Sequence, residues 1–197
     1  MSASPPVTAL ILAGGRGRRM GGQDKGLLEV GGRALIETIL QAIAPQVSAI
    51  LINANRNQTR YRRYGYPVLA DALPNFQGPL AGFAVGLRHC ATDELAILPC
   101  DSPFVPHDLV ARLRQARQRE QAEIAVVHDG ARLQPVHALL HKGALPSLDA
   151  FLETGDRKIE RWYGQQRIAL ADFSAYAPGF VNLNRPEDGR RLAGASL

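Results

Sequence analysis

The sequence predicts an α/β protein: a Rossmann-like three-layer sandwich with a mostly parallel central sheet and a smaller antiparallel hairpin portion in the second half. Three observations lead there. Short, continuous apolar runs at 7–12, 49–53 and 95–99 have the character of strands buried on both faces. Segments with helical apolar spacing separate them, which argues for crossover connections. After residue 120 the pattern changes to two apolar runs around Asp129-Gly130, a hairpin signal.

The elements follow in order. Residues 7–12 form a first strand that runs straight into a glycine-rich loop. Residues 34–44 carry apolar side chains at 35, 36, 39, 40 and 43, a helical stripe that Pro45 ends. A strand at 49–53, a basic helix at 57–64 and a strand at 67–70 ending at Asp71 come next. Gly78-Pro79-Leu80-Ala81-Gly82 opens a helix to about Cys90, and residues 95–99 form a strand ending at Cys100-Asp101. Pro106 suits the first turn of a helix over 106–118. Residues 124–127 and 134–140 pair as a hairpin. Helices at 146–153 and 157–163, strands at 167–172 and 180–183, and a closing helix at 186–192 complete the chain.

At 197 residues the chain suits one domain, 1–197. Its 46% hydrophobic and 21% charged residues are ordinary for a soluble globular protein. No apolar run reaches the roughly 18 residues that span a bilayer, so no membrane association is expected. The first six residues are short, uncharged and polar, unlike a secretory signal, and a cytoplasmic location is expected. Cys90 and Cys100 lack CxxC spacing, and the five histidines show no metal spacing. The net charge of +5 suits an anionic ligand. The cations are scattered along expected helices, including Arg112, Arg114, Arg117 and Arg119, as solvated faces. No basic stretch is interleaved with aromatics, so a nucleic-acid partner is not expected.

The loop after the first strand, residues 12–25, carries five glycines, three arginines and Lys25. Glycines let backbone N–H groups turn toward a ligand, and the cations add charge, a combination suited to a polyphosphate. It is neither a P-loop nor a dinucleotide fingerprint, because no glycine precedes Lys-Ser or Lys-Thr and Met20 stands where the last glycine would. Asn53, Asp71 and Asp101 follow three strands of the first half. Ligands of open parallel sheets bind beyond the carboxyl ends of strands, so these residues and the loop share one rim. Each alone also suits a helix cap. A carboxylate beside a triphosphate is repelled unless a cation intervenes, and magnesium binds through one or two carboxylates plus phosphate oxygens. Asp101 is therefore the expected metal ligand and Mg²⁺ the expected cofactor.

These motifs resemble a known family. L-A-G-G-x-x-x-R-M-G-G-x-D-K at 12–25, N-A-N at 53–55, Asp71, G-P-L-A-G at 78–82, P-C-D-x-P at 99–103 and F-V-N-x-N-x-P-E at 180–187 are similar to molybdenum cofactor guanylyltransferase, within the nucleotidyltransferase superfamily. The resemblance runs in order from about residue 7 to 190. It implies transfer of GMP from GTP to the terminal phosphate of molybdenum-molybdopterin, giving the guanine dinucleotide cofactor and pyrophosphate. Residues up to about 105 would then serve the nucleotide and the remainder the molybdopterin. The expected catalytic residues are Arg19, Lys25 and Asp101, the cations holding the phosphates and the departing pyrophosphate. Leu12, Ala13, Gly14, Gly15, Lys25, Asn53, Asp71 and Asp101 are the expected GTP-binding set. Asp71 and Asn53 could each serve guanine or ribose.

For the second substrate, Asn182 and Asn184 flank Leu183 in the expected strand and so share a face; Asn182 could assist the metal or simply bond at a strand end. Arg132, Lys158 and Arg161 offer charge to the pterin phosphate. A monomer is expected, with transient contact to other molybdenum cofactor biosynthesis proteins or molybdoenzyme chaperones implied by the family. The alternatives are a related transferase using CTP or another phosphate acceptor, and a GTP-binding protein without turnover.

Overall fold

The computed structural model describes residues 5–13, 24–72 and 78–183. In chain order these form β1 (Val7–Leu12), β2 (Glu29–Val30), β3 (Arg33–Ala34), α1 (Leu35–Ile43), β4 (Ala49–Asn53), α2 (Gln58–Arg62), β5 (Val68–Leu69), α3 (Pro79–His89), β6 (Glu94–Pro99), α4 (Leu109–Arg119), β7 (Ile124–His128), β8 (Leu133–His141), α5 (Leu145–Glu153), α6 (Ile159–Tyr163) and β9 (Ile168–Asp172). One sheet has the order β5-β4-β1-β6-β8-β7-β9. β1 lies parallel to β4 and β6, β4 to β5, and β7 to β9, whereas β8 runs against β6 and β7.

Side-chain alternation divides the core in two. Ala9, Ile11, Ile50 and Ile52 face Ile36 and Ile39 of α1, in a cluster that extends to Leu109 and Leu113 of α4. Leu10, Leu51 and Ile97 face Phe83 and Leu87 of α3, with Leu148 of α5 and Trp162 of α6. Helices thus cover both faces, as an apolar parallel strand requires. Burying each such side chain stabilises by about 1.5–3 kcal/mol.

The chain leaves β1 for β4 and β5 on one side, then crosses to β6 on the other. The switch point lies between β1 and β6, where a doubly wound sheet opens a crevice at the strands' carboxyl ends.

Four expectations are revised. No strand forms over 180–183: residues Ser174–Phe180 make tight 3₁₀ turns, and Val181 leaves them in an extended conformation. A Cβ on Gly179 would lie 3.3 Å from the Phe104 carbonyl, so the segment packs on the loop after β6 instead of joining a ladder. The helix expected at Pro106 begins at Leu109, because Pro106 caps a turn whose carbonyl accepts the Leu109 N–H at 3.2 Å. The β2–β3 hairpin was not expected; Gly31 (φ 62°) and Gly32 (φ 79°) supply the positive φ of its two-residue turn. The arginines of α4 are not all solvated. Arg114 and Arg117 both grip the buried Glu94 at the start of β6, the Arg117 Nη2 at 2.5 Å, and Arg112 stacks 4.2 Å over Phe173. The closing helix at 186–192 lies outside the described residues.

Candidate active site

Backbone bonds bring three strand ends together. The Ala13 N–H donates to the Asn53 carbonyl at 2.8 Å, and the Cys100 N–H to the Leu12 carbonyl at 3.0 Å. Leu12 and Ala13 therefore sit between the ends of β4 and β6. Gly14, Gly15 and Arg19, expected in the phosphate loop, lie outside the described residues, as does Asn184.

On the β4 side stands an amide–carboxylate network. Asn53, 3% exposed, donates through Nδ2 to Asp71 Oδ1 at 2.9 Å. Asn55 Nδ2 donates to Asp71 Oδ2 at 2.7 Å, and its Oδ1 accepts the Asp71 N–H at 2.8 Å. Both Asp71 oxygens are thereby oriented, and each keeps capacity for another donor. Asn55 was missed as a site residue, although its i, i+2 spacing from Asn53 is the signal for a shared side. Gly82 of α3 closes over the pair: a Cβ there would stand 2.7 Å from Asn53 Oδ1 and from Leu12 Cδ2. Gly78 (φ 81°) and Pro79 start that helix.

On the β6 side, Lys25 Nζ meets Asp101 Oδ2 at 2.8 Å, with side chains 29% and 14% exposed. Asp101 caps no helix, since α4 begins eight residues later behind Asp108. The Asp101 carbonyl accepts the Leu183 N–H at 2.7 Å, and Ser102 Oγ donates to Asn182 Oδ1 at 2.8 Å. Asn182 is thus brought beside the Asp101 loop, by a route other than the expected strand. Asp24, next to Lys25, accepts from the Tyr61 hydroxyl at 2.5 Å and from Asn57 Nδ2 at 3.0 Å, contacts the sequence did not reveal. Burial, then the neighbouring Asp101, pushes the Cys100 thiol up and disfavours its thiolate.

The cations suggested for the second substrate have partners of their own or open a helix. Arg161 pairs with Asp156 at 2.7 Å, Arg132 stands 3.9 Å from Asp129, and Lys158 opens α6. No helix among the described residues is long and apolar enough to cross a membrane. No cluster of three or more histidine, cysteine or acidic side chains that could hold a metal occurs among them either. At the end of β6 the rim offers the Asp101 carboxylate with the Lys25 ammonium against it. This donor set suits a magnesium ion that takes its other ligands from phosphate and water.

At the switch point, beyond the end of β6, an ammonium and a carboxylate are in contact. The family model of the MobA-like NTP transferase domain matches residues 9–169. The chain belongs to this family. A molybdenum cofactor guanylyltransferase from Shewanella sp. (strain MR-4) is 52% identical over 187 residues, 95% of each chain. One from Shewanella baltica (strain OS155) is 48% identical over 190 residues, 96% of this chain and 97% of its own. The crystal structure of molybdopterin-guanine dinucleotide biosynthesis protein A from Archaeoglobus fulgidus shares the fold, with a TM-score of 0.77 at 22% identity over 93% of this chain and 95% of that one. The chain is accordingly a nucleotidyltransferase of the molybdenum cofactor guanylyltransferase type, and the MobA-like fold accounts for its switch-point rim.

Proposed function

We propose that the rim transfers GMP from GTP to the terminal phosphate of molybdenum-molybdopterin. The observation that carries this reading is the Lys25–Asp101 contact at the carboxyl end of β6. A phosphate oxygen of molybdopterin attacks the α-phosphorus of GTP, and a new P–O bond forms. The bond from the α-phosphorus to the bridging oxygen breaks, and pyrophosphate leaves with the electron pair. Such a transfer needs positioning and charge neutralisation and no covalent enzyme intermediate.

Asp101 would hold Mg²⁺, which supplies positive charge at the α-phosphate when bound. Lys25 binds the triphosphate and meets the charge developing on pyrophosphate, together with Arg19 and the loop N–H groups of Gly14 and Gly15. Since the Lys25 ammonium lies on Asp101, it is already within reach of whatever Asp101 binds.

Leu12 and Ala13 frame the nucleoside from below. Asp71 accepts from it, either from the guanine N–H donors or from ribose hydroxyls. Asn53 is buried against Asp71 and serves by orienting that carboxylate. Asn182 stands where it can assist the metal side, and residues beyond about 105 serve the molybdopterin. The protein works as a monomer in the cytoplasm, where its two free cysteines stay reduced.

Replacing Asp101 by Ala tests the reading. Mg²⁺-dependent pyrophosphate release should be lost, with the melting temperature near that of the wild type. Near-normal turnover at saturating Mg²⁺ would overturn the metal assignment.

A further inference from the structure

We infer that Tyr61 is a positioning residue for the transfer: its hydroxyl holds Asp24, and Asp24 holds the backbone from which Lys25 reaches Asp101. This rests on the assignment of Lys25 and Asp101 given above.

Tyr61 lies on α2, its ring fully buried in the core beneath the rim. Its hydroxyl donates to Asp24 Oδ1 at 2.5 Å. The second Asp24 oxygen accepts from Asn57, whose left-handed conformation (φ 51°) opens the same helix. Both oxygens of one carboxylate are therefore fixed by a single short element that follows β4. The residue after Lys25 is clamped as well. A Cβ on Gly26 would lie 2.5 Å from the Tyr61 hydroxyl and 3.2 Å from Cys100 Cβ, so only a glycine lets the chain pass. Lys25 begins the 3₁₀ turn Lys25–Leu27, in which the Leu27 N–H bonds the Asp24 carbonyl at 3.1 Å and the Leu28 N–H bonds the Lys25 carbonyl at 3.0 Å.

Lys25 is thus held on both sides by residues that touch one phenol, while its own side chain crosses to Asp101. A lysine has four rotatable bonds, and fixing its backbone removes much of the search its ammonium would otherwise make. Burial pushes the phenol far above its ordinary range, so the hydroxyl remains a donor throughout the working pH range.

The test is a double-mutant cycle on turnover between Tyr61→Phe and Lys25→Ala, with melting temperatures taken in parallel. Tyr61→Phe keeps the buried ring and removes only the donor. It is expected to lower kcat by about 10-fold or more in the wild-type background, the scale on which outer-shell supports act. In the Lys25→Ala background the same change should alter kcat by less than about twofold, because coupled residues are not additive. Its effect on melting temperature should be the same in both backgrounds. Equal kcat losses in the two backgrounds, or no loss in the first, would overturn the inference while leaving the site intact. Wild-type turnover of Lys25→Ala alone would instead remove the site assignment and the inference with it. Asp24→Asn provides the second variant should Tyr61→Phe fold poorly. It should show the same coupled loss, and an uncoupled loss would count against the inference.

Discussion

At the scale of single residues, the rim works through close approach as much as through charge. Gly82 is the sharpest case, because its missing Cβ leaves space for both the Asn53 amide and the Leu12 side chain. Gly82→Ala would push Asn53 from its 2.9 Å bond to Asp71, leaving its buried amide only the Leu69 carbonyl at 3.3 Å, at a cost of about 1–3 kcal/mol. Weaker GTP binding by about tenfold is expected from isothermal titration, with the fold retained by circular dichroism. Unchanged affinity would mean that Asn53 does not orient Asp71 for the nucleotide. Lys25, Asp71 and Asp101 could be chosen from the sequence because a charged residue closing the glycine loop and carboxylates after two strands fall together on one rim. Asp24 and Tyr61 could not, because nothing in a linear pattern says that a buried phenol 37 positions away meets that carboxylate.

At the scale of elements, what could be read was the apolar periodicity. β1, β4 and β6 are buried on both faces and read as continuous apolar runs, and α1 places Leu35, Ile36, Ile39, Leu40 and Ile43 in one stripe. The turn after β7 was also legible: Asp129 accepts from the Arg132, Ala131 and Gln134 N–H groups, which hold its carboxyl down at about 2. Where tertiary contact decided, pattern failed, as at 180–183, whose buried Phe180 and Leu183 pack beside the Asp101 loop without strand pairing.

The bulge in β8 has a consequence for stability. The register jumps from Ala138 opposite Val126 to Gln134 opposite Val127, and His137 is tucked in against Phe180 with ring centroids 5.0 Å apart. Its Nδ1 has no hydrogen-bond partner among the described residues, and burial pushes its pKa down to about 3. The unfolded chain binds a proton there near the ordinary value of about 6.5, so the unfolded state gains as pH falls through the interval between the two. Stability should drop by about 1.4 kcal/mol per pH unit below 6.5 from this group alone. Urea midpoints of wild type and His137→Phe at pH 7.5 and 5.5 check this: the wild type should lose more than the variant. Equal losses would show that His137 accepts its proton in the folded state.

At the scale of the whole molecule, one arrangement joins fold to chemistry. Among the described residues six strands of the sheet run one way, and the chain reverses its direction of growth between β1 and β6, so the ends of β1, β4, β5 and β6 converge on one crevice. The alternation of strand and helix made that topology legible in outline. The single reversed strand, β8, and the edge pairing of β9 with β7 were only partly so, because pairing partners beyond a hairpin leave no local trace. The most direct measurement of the central claim is pyrophosphate release by the intact chain with Mg²⁺ and molybdopterin, supplied with GTP, CTP, ATP or UTP in turn. Release is expected with GTP alone, and none without Mg²⁺. Tight GTP binding with no release under any of the four nucleotides would contradict it.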